Sequence, residues 1–163
     1  MKLFEIKTAN AHMIKQLIEA IKDILAETTL SITNEGIKIS DIDEDQIILV
    51  KLHLLKEAFE EFEVNEDMEI GIEMFTLYKI LKPINQYDTL TISMDDSDRS
   101  ILIIRRDNSK RGSKSISRMK LCDLDYSEYD IEQTTYSSII TLPSHDFQQI
   151  CRNFKENSTI LVI

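Results

Sequence analysis

Residues 68–84, MEIGIEMFTLYKILKPI, decide the fold. Met68, Ile70, Ile72 and Met74 alternate with Glu69, Gly71 and Glu73, the period of two expected of a strand with one buried face. The period then changes. Leu77, Ile80, Leu81 and Ile84 follow the i, i+3, i+4, i+7 stripe of an amphipathic helix. Alternation returns over 89–94, TLTISM, with threonine directed outward. Working outward, the stripe recurs at Ile14, Leu17, Ile18 and Ile21, and again at Phe147, Ile150, Cys151 and Phe154. Thr8 and Asn10 are candidate caps for the first helix, and Ser144, just after Pro143, for the third. Leu30 and Ile32 lead into Asn34-Glu35-Gly36, after which Ile37 and Ile39 resume the alternation. That pattern predicts a hairpin with glycine where a positive φ is needed. Residues 47–54, IILVKLHL, read as a strand buried on at least one face. The clusters 95–98 (DDSD) and 108–113 (NSKRGS) read as turns between strands at 100–105 and 115–121.

The recurring unit is strand, helix, three strands. The stripes begin at Ile14, Leu77 and Phe147, a spacing of 63 and then 70 residues, too long for a solenoid repeat. The expected fold class is α+β, with two such units over about 1–60 and 61–121 forming one domain. Residues 122–136, CDLDYSEYDIEQTTY, are acidic and aperiodic and read as a linker. A third unit starts near Ser137 with one strand, one helix and STILVI, and stops at Ile163. Ending on an unpaired apolar strand would leave the kind of edge that natural proteins avoid. The expectation is a fragment or early-terminated form of a longer chain, with 137–163 the start of an incomplete second domain.

Composition narrows the function. With 163 residues, 42% apolar and 29% charged, the chain matches an ordinary globular domain and excludes a disordered chain, a collagen or a disulfide scaffold. Three glycines exclude a P-loop and a G-x-G-x-x-G turn. Cys122 and Cys151 point to a reducing compartment. No apolar run approaches the ~18 residues of a membrane span, so no membrane partner is expected. Asp41, Asp43 and Asp45 have the first spacings of a calcium loop, but Gln46 and Leu52 stand where glycine and glutamate are required. Asp95, Asp96 and Asp98 fail in the same way. His12, His53 and His145 show no zinc spacing with the cysteines. No metal, other cofactor or enzymatic activity is expected.

The net charge is −10, which taken whole argues against a nucleic-acid binder. Distribution reverses that argument. The three helical stretches, 14–22, 77–84 and 147–155, carry +1, +2 and +2, leaving −15 for the remainder. Basic helix faces in an acidic chain suit sequence-blind contact with phosphates, while the acidic exterior repels DNA elsewhere. No aromatic residue is spaced for base stacking. The hairpin 105–114, RRDNSKRGSK, adds Arg105, Arg106, Lys110, Arg111 and Lys114, as a solvated loop, a phosphate contact or a localisation signal.

LPSHDFQQICRNF (142–154) and MKLCDLDYSEY (119–129) resemble signatures of the proliferating cell nuclear antigen family of DNA sliding clamps. LYKILKPI (77–84), NEGIKISDID (34–43) and LLKEAFEEF (54–62) fall in matching order. The resemblance implies the DNA-clamp fold, with helices on the inner face of a ring and antiparallel sheets outside. It implies a non-catalytic polymerase processivity factor that encircles duplex DNA and tethers replication and repair proteins. The implied partners are double-stranded DNA, DNA polymerase, the clamp loader and proteins carrying a PCNA-interacting peptide. A homotrimer is implied if the chain is full length, in the nucleus or at a viral replication site. By position, Lys15, Lys22, Lys79, Lys82 and Arg152 match the residues that face DNA. Ile42, Gln46 and Ile47 match the partner groove, and Tyr129 and Ile131 the connector that clasps a partner peptide. Tyr129 and Glu132 stand where the family commonly has an aliphatic residue and a proline. The rival expectations are a clamp-derived interaction module that binds partner peptides without encircling DNA, and a metal-dependent hydrolase built on the aspartate clusters.

Overall fold

The computed structural model describes residues 1–125, 129, 134–155 and 160. It divides into two compact units, Met1–Asp130 and Ile131–Ile163. The first unit runs β1 (Lys2–Thr8), α1 (Ala11–Ile21), β2 (Glu27–Thr33), β3 (Gly36–Ile42), β4 (Leu49–Leu55), a 3-10 turn (Lys56–Ala58) and β5 (Glu61–Val64). It continues β6 (Met68–Glu73), α2 (Met74–Leu81), β7 (Asp88–Asp95), β8 (Ile101–Asn108) and β9 (Ser113–Lys120). The β-α-β-β-β unit therefore occurs twice, with β5 added between the copies.

The two copies exchange their first strands. One antiparallel sheet has the order β5-β1-β7-β8-β9 and the other β4-β3-β2-β6. β1 thus lies beside β7 of the second copy, and β6 beside β2 of the first, with Ile6 opposite Ile92 and Leu30 opposite Ile70. The core collects Phe4, Ile6, Ile18, Ile72, Leu77, Leu81, Leu90 and Leu102, each 6% exposed or less. α1 and α2 pack side by side against the sheets. Lys15 near the start of α1 reaches Ile84 beyond the end of α2, and Glu19 reaches Tyr78, so the two helices run antiparallel.

The hairpin at 34–36 forms as predicted. Thr33 pairs with Gly36 across a two-residue turn, and Gly36 adopts φ +148°. A Cβ at Gly36 would collide with the carbonyl oxygen of Leu54 on β4, so the strand requires glycine there. Asn10 occupies the N-cap of α1 but makes no side-chain cap bond; its own N–H donates to Thr8 Oγ1 at 3.0 Å. α3 (Ser144–Lys155) begins on Ser144 itself.

Four local expectations change. Met74 opens α2 instead of ending the strand, and α2 stops at Leu81, leaving Ile84 buried in the following turn. Thr91 and Ser93 are buried rather than outward: β7 lies between β1 and β8, and the Glu5–Arg105 pair (3.7 Å) spans its outer face. β4 is an edge strand, so Val50, Leu52 and Leu54 are half-buried and none is fully covered. In the second unit, residues 134–143 run without a strand into α3, and no residue of α3 is buried. A strand persists only in a ladder, and a helix buries its stripe only against another element. Neither partner is present among the described residues.

Candidate nucleic-acid interface

Four of the five cations expected at DNA lie on the α1–α2 pair. Lys15 Nζ donates to the Ile84 carbonyl at 3.1 Å, which ties its stem across to the end of α2. Lys22 is the C-cap of α1; its Nζ is 2.7 Å from Asp23 Oδ1 and 5.0 Å from the Tyr78 ring centroid. The hydrogen bond to Asp23 holds the Lys22 ammonium above its ordinary pKa, so the cation persists at neutral pH. Tyr78 OH donates to Glu19 Oε1 at 2.9 Å, and that bond raises the phenol above its ordinary value. Lys79 lies 4.4 Å from the Phe75 ring centroid, and Lys82 is exposed at the C-cap of α2. The aromatic contacts hold lysine stems without neutralising their charge. Arg152 is exposed on α3 in the second unit.

The residues expected at the partner groove form a compact loop between β3 and β4. Asp43 Oδ1 accepts the N–H groups of Ile47 (2.7 Å) and Ile48 (2.6 Å), and Asp43 N–H donates to the Ile48 carbonyl at 3.0 Å. This tight turn places Gln46 at φ +57° and pushes Ile47 outward to 80% exposure. The aspartate that resembled a calcium ligand is thus a turn-forming group. Ile48, which sequence reasoning missed, is also exposed; its only signal is adjacency to Ile47. Ile42 is half-buried.

The segment after β9 is tied to the β4-β3-β2-β6 sheet at two places. Cys122 N–H donates to the Gly71 carbonyl at 2.9 Å, and Ser40 Oγ donates to the Tyr129 carbonyl at 3.0 Å. Beside it lies a cleft of about 670 Å³ lined by Ile42, Phe75 and Leu124 together with Asp41, Asp43 and Glu44. Burial, reinforced by Glu27, raises the Cys122 thiol above its ordinary value. Ile131 lies outside the described residues. Among the described residues no group of three or more His, Cys, Asp or Glu is placed to hold a metal ion. Among the same residues no helix is long and apolar enough to cross a membrane.

Paired antiparallel helices that carry lysines, backed by two antiparallel sheets, define the class of clamp-type domains; Lys79 and Lys82 are exposed, whereas the Lys22 side chain is 14% exposed and lines the cleft beside Ile42. The family model described as proliferating cell nuclear antigen, N-terminal domain, matches residues 3–129. A "Probable DNA polymerase sliding clamp 1" of Paramecium bursaria Chlorella virus 1 is 30% identical over 161 residues, 99% of this chain and 62% of that protein. The "Proliferating cell nuclear antigen" of Dictyostelium discoideum is similar at the same identity and coverage. This chain belongs to the proliferating cell nuclear antigen family. It spans 62% of the length of these curated relatives.

Proposed function

We propose that the chain acts as a DNA sliding clamp, a non-catalytic processivity factor that holds duplex DNA without reading its sequence. The carrying observation is the α1–α2 pair, which brings Lys15, Lys22, Lys79 and Lys82 onto adjacent helices in a chain of net charge −10. Arg152 is assigned to DNA contact by its match to the family pattern. Long lysine stems make screened, adaptable phosphate contacts, which suit a protein that must slide. Ile42, Gln46, Ile47, Tyr129 and Ile131 are assigned to partner peptides. The exposed Ile47–Ile48 turn offers an apolar anchor there. Among the described residues β9 ends its sheet, with Ile116 59% exposed, and that edge is assigned to a neighbouring subunit in a homotrimer of the full-length chain. Polymerase, clamp loader and repair proteins would be the partners, at a nuclear or viral replication site.

The test is the salt dependence of duplex binding. Each contacting cation contributes a slope of ~0.9 in log K against log salt. Replacing Lys15, Lys22, Lys79, Lys82 and Arg152 by alanine is expected to flatten the slope by up to ~4.5. An unchanged slope would remove the assignment. A second reading, a peptide-binding module that does not encircle DNA, draws on the same exposed turn. It predicts peptide binding that Ile47→Ala abolishes, with no measurable duplex affinity.

A further inference from the structure

The tip of the β8–β9 hairpin closes over a concave surface separate from the partner cleft. A pocket of about 490 Å³ is lined by His12 and Lys15 of α1, Tyr87 of the α2–β7 turn, and Asn108, Lys110 and Arg111 of the hairpin. Among the described residues no carboxylate lines it, in a chain with 29 acidic and 19 basic residues. Its cations come from segments about 95 residues apart, so folding alone gathers them. Arg105 and Arg106 do not join them. They lie within β8, against Glu5 at 3.7 Å and the Pro83 carbonyl at 3.0 Å.

A buried polar pair sets the pocket's shape. Asp88 is 1% and Asn108 8% exposed. Asp88 Oδ2 accepts the Asn85 N–H at 2.8 Å, and Asp88 Oδ1 accepts from Asn108 Nδ2. Asn108 Oδ1 in turn accepts the Arg111 N–H at 2.8 Å. The α2–β7 turn and the hairpin tip are therefore held by one network of fixed geometry. The Asp88 carboxylate, with Arg106 Nε at 4.0 Å, is buried and does not line the pocket. Lys110 Nζ sits 3.3 Å from the Tyr87 ring centroid, which holds its head near the rim.

A guanidinium fork, two ammonium groups and an imidazole around one polar concavity match the donors that a phosphate accepts from. Lys15 belongs both to this pocket and to the lysine-bearing helix pair. That continuity favours an extended polyanion over a small soluble one. We propose that the pocket is a further phosphate site, in which Lys110 and Arg111, with His12, hold a backbone phosphate of the duplex that Lys15 also contacts. The proposal rests on the duplex-binding reading above and adds the hairpin to it.

The experiment measures salt slopes for a fluorescein-labelled duplex with the 163-residue chain. It compares the parent with Lys110→Ala/Arg111→Ala and with Lys79→Ala/Lys82→Ala. All four side chains are exposed, and thermal melts check that each variant folds. The hairpin variant is expected to flatten the slope by ~1.8, at ~0.9 per contact. A flattened slope for the helix variant alone overturns the pocket and leaves the clamp reading standing. No change in either variant overturns both. A parallel titration with pyrophosphate separates the two phosphate sources. Saturable, hairpin-dependent pyrophosphate binding with an unchanged duplex slope assigns the pocket to a soluble phosphate and overturns the proposal.

Discussion

Gly36 shows how one residue sets the register of a sheet. Its φ of +148° and the Leu54 carbonyl facing it leave no room for a side chain. Gly36→Ala is expected to cost about 1–3 kcal/mol in denaturant unfolding, the range for forcing a residue into a sparsely populated conformation. A change below about 0.5 kcal/mol would mean the hairpin relaxes freely. Arg99 acts differently, by charge. Its guanidinium donates to both Glu66 oxygens, at 2.9 and 3.0 Å, and to Asp96 at 2.8 Å. These bonds hold the Glu66 carboxyl below its ordinary value of 4.5. A depressed carboxylate adds stability above the unfolded pKa and loses it as pH falls through the folded value. Glu66→Gln is therefore expected to reduce the loss of melting temperature on acidification below 4.5, most visibly at low salt. Parent and variant with identical acid limbs would show that the exposed fork contributes nothing.

At the scale of elements, the connection between β9 and the rest of the chain depends on a glycine in another strand. Cys122 bridges to Gly71 in β6, and a Cβ at Gly71 would collide with the Cys122 carbonyl oxygen and would meet Leu124 Cγ at 2.9 Å. Gly71→Ala is expected to lift this segment off the sheet, at about 1–3 kcal/mol of overpacking. Hydrogen exchange checks it directly: the Cys122 N–H should lose protection while β2 and β7 keep theirs. Uniform protection would mean the segment shifts without detaching. The strand and helix characters of β6 and α2 were legible in the change of period at residues 68–84, as was the turn at Gly36. The outward position of Ile47 was not. It follows from two hydrogen bonds to Asp43, and an isoleucine beside a strand otherwise reads as core.

For the whole molecule, the decisive feature is that neither copy of the β-α-β-β-β unit completes its own sheet. β1 needs β7, and β2 needs β6. Fragments cut after Asn65 are expected to be unfolded separately and to regain dispersed amide spectra on mixing. A first fragment that folds alone would contradict the exchange. The α+β class, the two repeated units, the basic helices and the family are readable from the residues alone, because they depend on local period, composition and motif order. The same patterns place Lys15, Lys79 and Arg152 on helices, while Lys22 and Lys82 fall one residue past theirs, at the C-caps. Which strands are neighbours, which side chains of β7 are covered, and that His12, Lys15, Lys110 and Arg111 share one pocket emerge only from the folded chain. The physical reason is that periodicity reports which side of an element is apolar. Strand exchange and the Asp88–Asn108 network depend instead on hydrogen bonds between residues distant in the chain, and no local pattern records them.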